Sequence, residues 1–519
     1  MIVLVDYASP SVLDARRDEC QLGLSANARR PVHFRGTVSN HAFNFRIALR
    51  ALGELIWSDD TWYAEGDILD PVVTVHPDRI FFEAFSQDQS AYGCLEVDPE
   101  VFQAEGETIT GTTNVDFTAW LWGALGEMRT SRTTTFSVGA EGIELSTTGA
   151  GGRFEKKVDL PDNWVRGFLQ VQAAMAMTGT RLTVSPIDLL SAIRFMRYTK
   201  AKVSPRALRY EFPPGEDARV MLEPWEHVVP LEGAEHNYSA PKNIRVWGRR
   251  RLRLIEGLLP FAESVDVYLK GRSLPSFYAV KLPGMTFMLG ITGWSGSGFT
   301  GTGGFDLMAE AAEADDVLVA TALELLRSEY HLSIDQLAEK LSVDKPTASR
   351  VLVRLCRQGR AMFDVQRRDY RSRELFETPA DEAKFFPPDL RRERAAEMLA
   401  AGQVSIRSCQ VEENRKQRRL KTPDGPVFRE VVYRDWRVVG QAGDADPVEI
   451  VINDSGRIIF GRCTCEHFEQ HLMNEGPCEH MLAVFQATAD QRVDTASSDP
   501  ANPTEAVAKK PSPWEVGGY

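Results

Sequence analysis

Residues 461–480 read Gly461-Arg462-Cys463-Thr464-Cys465-Glu466-His467-Phe468-Glu469-Gln470-His471-Leu472-Met473-Asn474-Glu475-Gly476-Pro477-Cys478-Glu479-His480. Two thiols one residue apart are followed, twelve residues later, by a thiol and an imidazole with the same separation. Three sulfurs and a ring nitrogen form a donor set that suits a tetrahedral zinc ion, and four protein ligands leave no open position. The spacing therefore predicts one structural zinc held by Cys463, Cys465, Cys478 and His480. Working outward, Arg457-Ile458-Ile459-Phe460 predicts a strand leading into the first pair, and Gly476-Pro477 breaks the chain before the second. His480-Met481-Leu482-Ala483-Val484-Phe485 predicts a short amphipathic helix with the histidine in its first turn. His467 and His471 lie between the ligand pairs; either could replace a ligand, but both are read as surface residues or as supports behind the ligands.

Cys-X-Cys followed at a distance by Cys-X-His, preceded by strand-like Val427–Val432 and Val448–Ile452, resembles the SWIM zinc finger over residues 425–488. Few apolar residues lie in this stretch, so the ion is expected to organise it. Trp247-Gly248-Arg249-Arg250-Arg251-Leu252, Leu274-Pro275-Ser276-Phe277-Tyr278 and Leu289-Gly290-Ile291-Thr292-Gly293-Trp294 also resemble segments of large bacterial SWIM-containing proteins. That resemblance implies MoxR-type AAA+ ATPases and von Willebrand factor A proteins as partners.

Residues 315–376 carry a second pattern. Val317 to Leu326 suit a first helix, and Ser333 can cap a second in which Ile334, Leu337, Ala338 and Leu341 recur at helical spacing. Ser342-Val343-Asp344 predicts the turn, and Pro346 is tolerated in the first turn of a third helix that Gly359 ends. On that third helix Arg350, Arg354 and Arg357 form one basic stripe opposite Ala348, Val351, Leu352 and Leu355. Ala361–Val365 and Tyr370–Leu375 predict a hairpin with Arg367 and Arg368 at its tip. From Lys345 to Arg373 nine basic residues face two acidic ones, a local charge of +7. The pattern resembles a winged helix-turn-helix of the bacterial regulator type. It implies DNA-binding through Lys345, Arg350, Arg354, Arg357, Arg367 and Arg368; a protein-binding winged helix is the alternative.

The first 300 residues repeat. Leu52-Gly53-Glu54-Leu55 and Leu125-Gly126-Glu127-Met128 each close a predicted helix. Val73–Val75 with Ile80–Phe82, turning at Pro77-Asp78, follow the first. Phe136–Val138 with Ile143–Leu145, turning at Glu141-Gly142, follow the second. Further units are read at Ile187–Tyr198 with Leu208–Phe212 and Val220–Leu222, and at Leu252–Phe261 with Val265–Leu269, Phe277–Val280 and Phe287–Ile291. Four helix-plus-hairpin units resemble the sliding-clamp (DNA-clamp) fold. The candidate helices carry Arg46 and Arg50, Arg194 and Arg197, and Arg249, Arg250, Arg251 and Arg253, as a basic pore lining would require. An α+β protein-interaction scaffold with solvated arginines is the alternative.

The predicted fold class is thus multidomain α+β. It comprises repeat domains at 30–160 and 161–300, a winged helix at 313–378, a small zinc-stabilised ββα module at 400–488 and a disordered tail at 490–519. A chain of 519 residues exceeds one hydrophobic core. Its net charge of −13 argues against indiscriminate nucleic-acid binding and leaves room for local basic patches. Seven scattered cysteines argue against a disulfide framework, and no apolar run approaches the ~20 residues of a membrane helix. A cytoplasmic protein is expected. Glycine-rich Gly293–Gly304 lacks the Gly-Lys-Ser/Thr ending of a phosphate loop and reads as a linker. Phe385-Phe386-Pro387-Pro388 begins a connector, and Pro511–Val516 could serve as a docking peptide. Neither Glu226-His227 nor Asp59-Asp60 completes a catalytic constellation, so a non-enzymatic protein is expected.

Overall fold

Val72-Val73-Thr74-Val75 and Ile80-Phe81-Phe82-Glu83-Ala84-Phe85 are apolar at nearly every position, so a sheet built from them must be covered on both faces. That is how the protein uses them. The computed structural model describes residues 2–489 apart from 8, 40, 58–69, 140–153, 160–161, 178, 200, 202–205, 271–274, 293–298, 300–313, 377, 386–389, 423–424, 454–457 and 472–476. The chain divides into two units, Met1–Pro387 and Pro388–Tyr519.

An eight-stranded antiparallel sheet runs through the first unit. Its order is Thr180–Val184, Ser264–Leu269, Ser276–Leu282, Met285–Ile291, Ala91–Val97, Ile80–Phe85, Val72–Val75 and Gly111–Asn114. Alternate residues serve two cores. Val73, Phe82, Leu95, Val280 and Phe287 pack with helices α1 (Ala42–Trp57) and α4 (Pro186–Thr199). The opposite set, including Phe81, Phe85, Tyr92, Phe277 and Met288, packs with α3 (Asp162–Ala176) and with residues 319–385. Between α1 and α3 lies the short α2 (Ala119–Ala124), whose Trp122 stacks into the space beside Gly53: a Cβ there would lie 2.1 Å from its ring. The two Leu-Gly-Glu segments thus meet across α1 and α2, with Gly126 beside Arg50.

The expected helix-and-hairpin order is visible in three places. Helix α1 precedes Val72–Val75 and Ile80–Phe85, α4 precedes Leu208–Phe212 and Arg219–Leu222, and two short 3-10 turns within 249–261 precede Ser264–Leu269 and Ser276–Leu282. The second unit of the sequence reading departs from this order. Thr133–Gly139 pairs in parallel with Glu19–Ser25 and antiparallel with Phe34–Val38, in a five-stranded sheet, while residues 141–145 lie outside the described set. Phe154–Asp159 pairs with Ile2–Tyr7.

Residues 316–372 follow as helix α5 (Asp316–Glu329), a short strand His331–Leu332, α6 (Ile334–Leu341), α7 (Lys345–Arg357) and a hairpin of Ala361–Asp364 with Asp369–Ser372. Ser333 caps α6 in a capping box with Gln336, and Asp344 caps α7 through the Thr347 amide. Gly359 then takes φ +70°, a left-handed conformation suited to glycine. A one-turn helix, α8 (Glu382–Phe385), ends this unit. No described helix is long and apolar enough to cross a membrane, and none of the seven cysteines forms a disulfide.

The second unit holds α9 (Leu390–Ala400), then a four-stranded meander of Val404–Thr422, Gly425–Ala442, Ala445–Asn453 and Ile458–Arg462, then α10 (Glu466–His471) and α11 (Glu479–Ala487). Its core joins Ala395, Val438, Val448, Ile450, Met481 and Val484.

Candidate metal centre

Strand Ile458–Arg462 ends just before Cys463, and Cys478 stands at the N-terminus of α11, whose first turn holds His480. The two pairs meet. One ligand atom each from Cys463, Cys465, Cys478 and His480 lies within 4.8 Å of all the others. Cys463, Cys478 and His480 are buried and Cys465 is half-buried. Helix α10 occupies part of the interval between the pairs, and His467 is not in the ligand group, while the His471 side chain lies outside the described set.

The chemistry of the set fits zinc. His480 Nε2 lies 3.2 Å from Asp444 Oδ1, while Nδ1 is buried with no hydrogen-bond partner among the described residues. A carboxylate on one ring nitrogen and a metal on the other is the usual arrangement for a ligating histidine. Asp444 was not singled out in the sequence; it follows Gly443, which turns the chain at φ +54° between two strands. The hydrogen bond from Cys478 holds the Cys463 thiol down to about 4. The same bond, with burial, pushes the Cys478 thiol far up. Crowded thiols cannot all ionise without a cation among them, and zinc removes that conflict by binding all three as thiolates.

The basic residues of 345–368 are placed less uniformly than their stripe suggests. Lys345 pairs with Asp335 at 3.0 Å, Arg354 with Asp316 at 2.8 Å, and Arg350 bonds Thr347 at 2.8 Å. Arg357 is half-buried on the same helix. Arg367 and Arg368 are exposed at the hairpin turn, with Arg367 3.5 Å from Asp78. The next two arginines of the local excess point inward. Arg371 is fully buried between Asp364 (2.9 Å) and both carboxylate oxygens of Asp78 (3.0 Å). Arg373 is fully buried against Glu83 at 3.1 Å, which also accepts from the Tyr92 hydroxyl at 2.7 Å. Gln366 donates to Glu96 at 3.0 Å. The hairpin is therefore fastened to the eight-stranded sheet both at its turn and along its second strand. Of the discounted acid/base pairs, His227 stacks on Phe195 at 4.0 Å, and residues 59–60 lie outside the described set.

No curated protein matches the chain in sequence. Among solved structures it is similar to the proliferating cellular nuclear antigen of Entamoeba histolytica, at 12% identity over 50% of this chain and 98% of that one, TM-score 0.33. PCNA from Thermococcus kodakaraensis gives 13%, 50%, 99% and 0.33, and A. fulgidus PCNA bound to the C-terminal region of FEN-1 gives 10%, 50%, 97% and 0.33. Residues 448–489, which contain all four converging ligands, match the SWIM zinc finger, and the Cys463, Cys465, Cys478 and His480 cluster fits zinc binding.

Proposed function

We propose that this is a non-enzymatic, zinc-containing scaffold that contacts nucleic acid through its winged helix and its SWIM module. The observation that supports the reading best is the helix–strand–helix–helix–hairpin unit of residues 316–372. There α7 carries Lys345, Arg350, Arg354 and Arg357, and the hairpin turn exposes Arg367 and Arg368, in a chain whose net charge is −13. Such a unit lays its third helix in the major groove and its hairpin over phosphates. The N-terminal region is read as clamp-like on the recurrence of helix and hairpin. Its helix-borne Arg194 and Arg197 lie 3.8 and 3.2 Å from Glu256, which offsets part of their charge. The test is a gel shift across a salt series with full-length protein. Wild type should bind with affinity falling as salt rises, and R350E/R354E/R357E should bind more weakly with a shallower salt slope. Wild-type protein that shifts no nucleic acid ends the proposal.

A second reading is favoured by the fastening of the hairpin through Arg371, Arg373 and Gln366. In it the unit binds protein, and the chain is an adaptor in a MoxR-type AAA+ ATPase and von Willebrand factor A system. Recovery of such proteins with the tagged chain from its host, by a chain that binds no nucleic acid, would support it.

A further inference from the structure

The first two strands of the zinc-bearing unit outrun their sheet. Val404–Thr422 pairs with Gly425–Ala442 along its length, but Ala445–Asn453 pairs only with Asp435–Ala442. From Glu413 to Arg434 the two strands therefore have no neighbour but each other among the described residues. At ~3.3 Å per residue, the paired residues Glu413–Thr422 carry this ribbon roughly 30 Å past the sheet. An isolated two-stranded ribbon is marginal in water, so its length is best explained by something it holds.

The residues say what that is. Segment 413–434 contains seven basic residues and three acidic ones, a charge of +4 within a chain of −13. The register shows how this charge is arranged. Arg418 is paired directly with Arg429, and Arg415, Lys416 and Arg419 are paired with Val432, Val431 and Phe428. Of the basic positions only Arg434 stands opposite an acid, Glu413. Like charges directly opposed weaken a strand pair, whereas opposite charges would strengthen it. In register the other basic positions stand opposite one another or opposite apolar and neutral residues, a placement that suits an external anion better than pairing within the ribbon.

We propose that the paired segments 413–422 and 425–434 form a DNA-binding arm that enters the major groove of duplex DNA, its basic residues neutralising backbone phosphates. The major groove, ~12 Å wide, admits a two-stranded ribbon, and roughly 30 Å of ribbon is close to one turn of duplex, ~34 Å. The deep, narrow major groove of double-stranded RNA does not admit one. The inference rests on the nucleic-acid reading above and assigns the principal contact to this arm instead of α7.

The test measures binding of full-length protein to a fluorescent DNA duplex of about thirty base pairs over a salt series. It compares wild type, R415E/K416E/R418E/R419E, the milder R415Q/K416Q/R418Q/R419Q and the α7 variant R350E/R354E/R357E. Each phosphate contact contributes about 0.9 to the slope of log affinity against log salt. The glutamine variant should lower that slope by roughly 3 to 4 and weaken binding about 100-fold or more near 0.1 M salt. The glutamate variant should bind more weakly still. Both should retain the wild-type zinc content, which shows that the module is folded. Ribbon variants that bind like wild type while the α7 variant loses binding overturn this inference and leave the nucleic-acid reading standing. Wild type that binds no duplex overturns both, and tighter binding to RNA duplex than to DNA duplex overturns the arm.

Discussion

Replacing Glu83 with alanine should loosen the helix–hairpin unit from the sheet. Glu83 and Arg373 are both fully buried, 3.1 Å apart, and Arg373 also lies 5.4 Å from the centre of the Phe168 ring on α3. Removing the carboxylate strands a guanidinium in the interior and leaves the Tyr92 hydroxyl without its 2.7 Å acceptor. Breaking a buried ion pair by deleting one partner destabilises by about 3–5 kcal/mol. Since 1.4 kcal/mol is a factor of ten, even ~3 kcal/mol multiplies the opened population roughly 100-fold. Replacing both partners by apolar groups of similar volume, E83L/R373M, should cost far less, because the penalty lies in the uncompensated charge and not in the lost attraction. Hydrogen exchange is the assay of choice, because a multidomain chain has no single unfolding midpoint. Amides of 345–372 should exchange faster in E83A and return toward wild-type protection in the double variant. Unchanged protection in E83A, or a double variant as loose as the single, would refute the reasoning.

Cys463→Ser or Cys478→Ser should release about one zinc per chain and unfold the C-terminal module while the first unit keeps its thermal transition; elemental analysis with calorimetry checks this. Asp444→Ala should keep the stoichiometry but weaken zinc by up to about 10-fold in a chelator competition, the low end for such supports because this aspartate is solvent-exposed. Burial, and then the charge of Asp364, raise the Glu96 carboxyl to about 8, so the folded protein holds a proton that the unfolded chain releases near 4.3. Folded-state proton binding exceeds unfolded-state binding between those values, so stability of the first unit should fall as pH rises from about 5 to 8. A thermal-shift series should show that decline and its loss in E96Q. Gly53→Ala should displace Trp122 and destabilise by about 1–3 kcal/mol, read as a lower melting temperature of the first unit.

The ligand set was legible because zinc chemistry restricts both residue type and spacing, and nothing distant in sequence enters it. The cap at Ser333 was legible for the same reason, being a contact within one helical turn, whereas Asp344, read only as part of a turn, proves to cap α7. What escaped depends on residues far apart. Helix α3 carries a usable apolar pattern, but nothing local says that Phe168 meets Phe85 and the hairpin's arginine. Tyr370-Arg371-Ser372-Arg373 reads as a solvated basic strand until Asp78 and Glu83, almost 300 residues earlier, are brought beneath it. Alternation did offer a hint, since Arg371 and Arg373 share one side of the strand. The long ribbon was seen only at Val427–Val432, because its first strand is too polar to show a period-two apolar pattern.

The covered sheet also has a mechanical meaning. A domain joined only by a tether can swivel, and whatever it grips is free to tumble with it. Here α3 and the buried arginines weld the helix–hairpin unit to one side of a plate whose other side carries α1 and α4. A load placed on α7 would therefore pass as torque to the whole plate instead of being lost in a swivel.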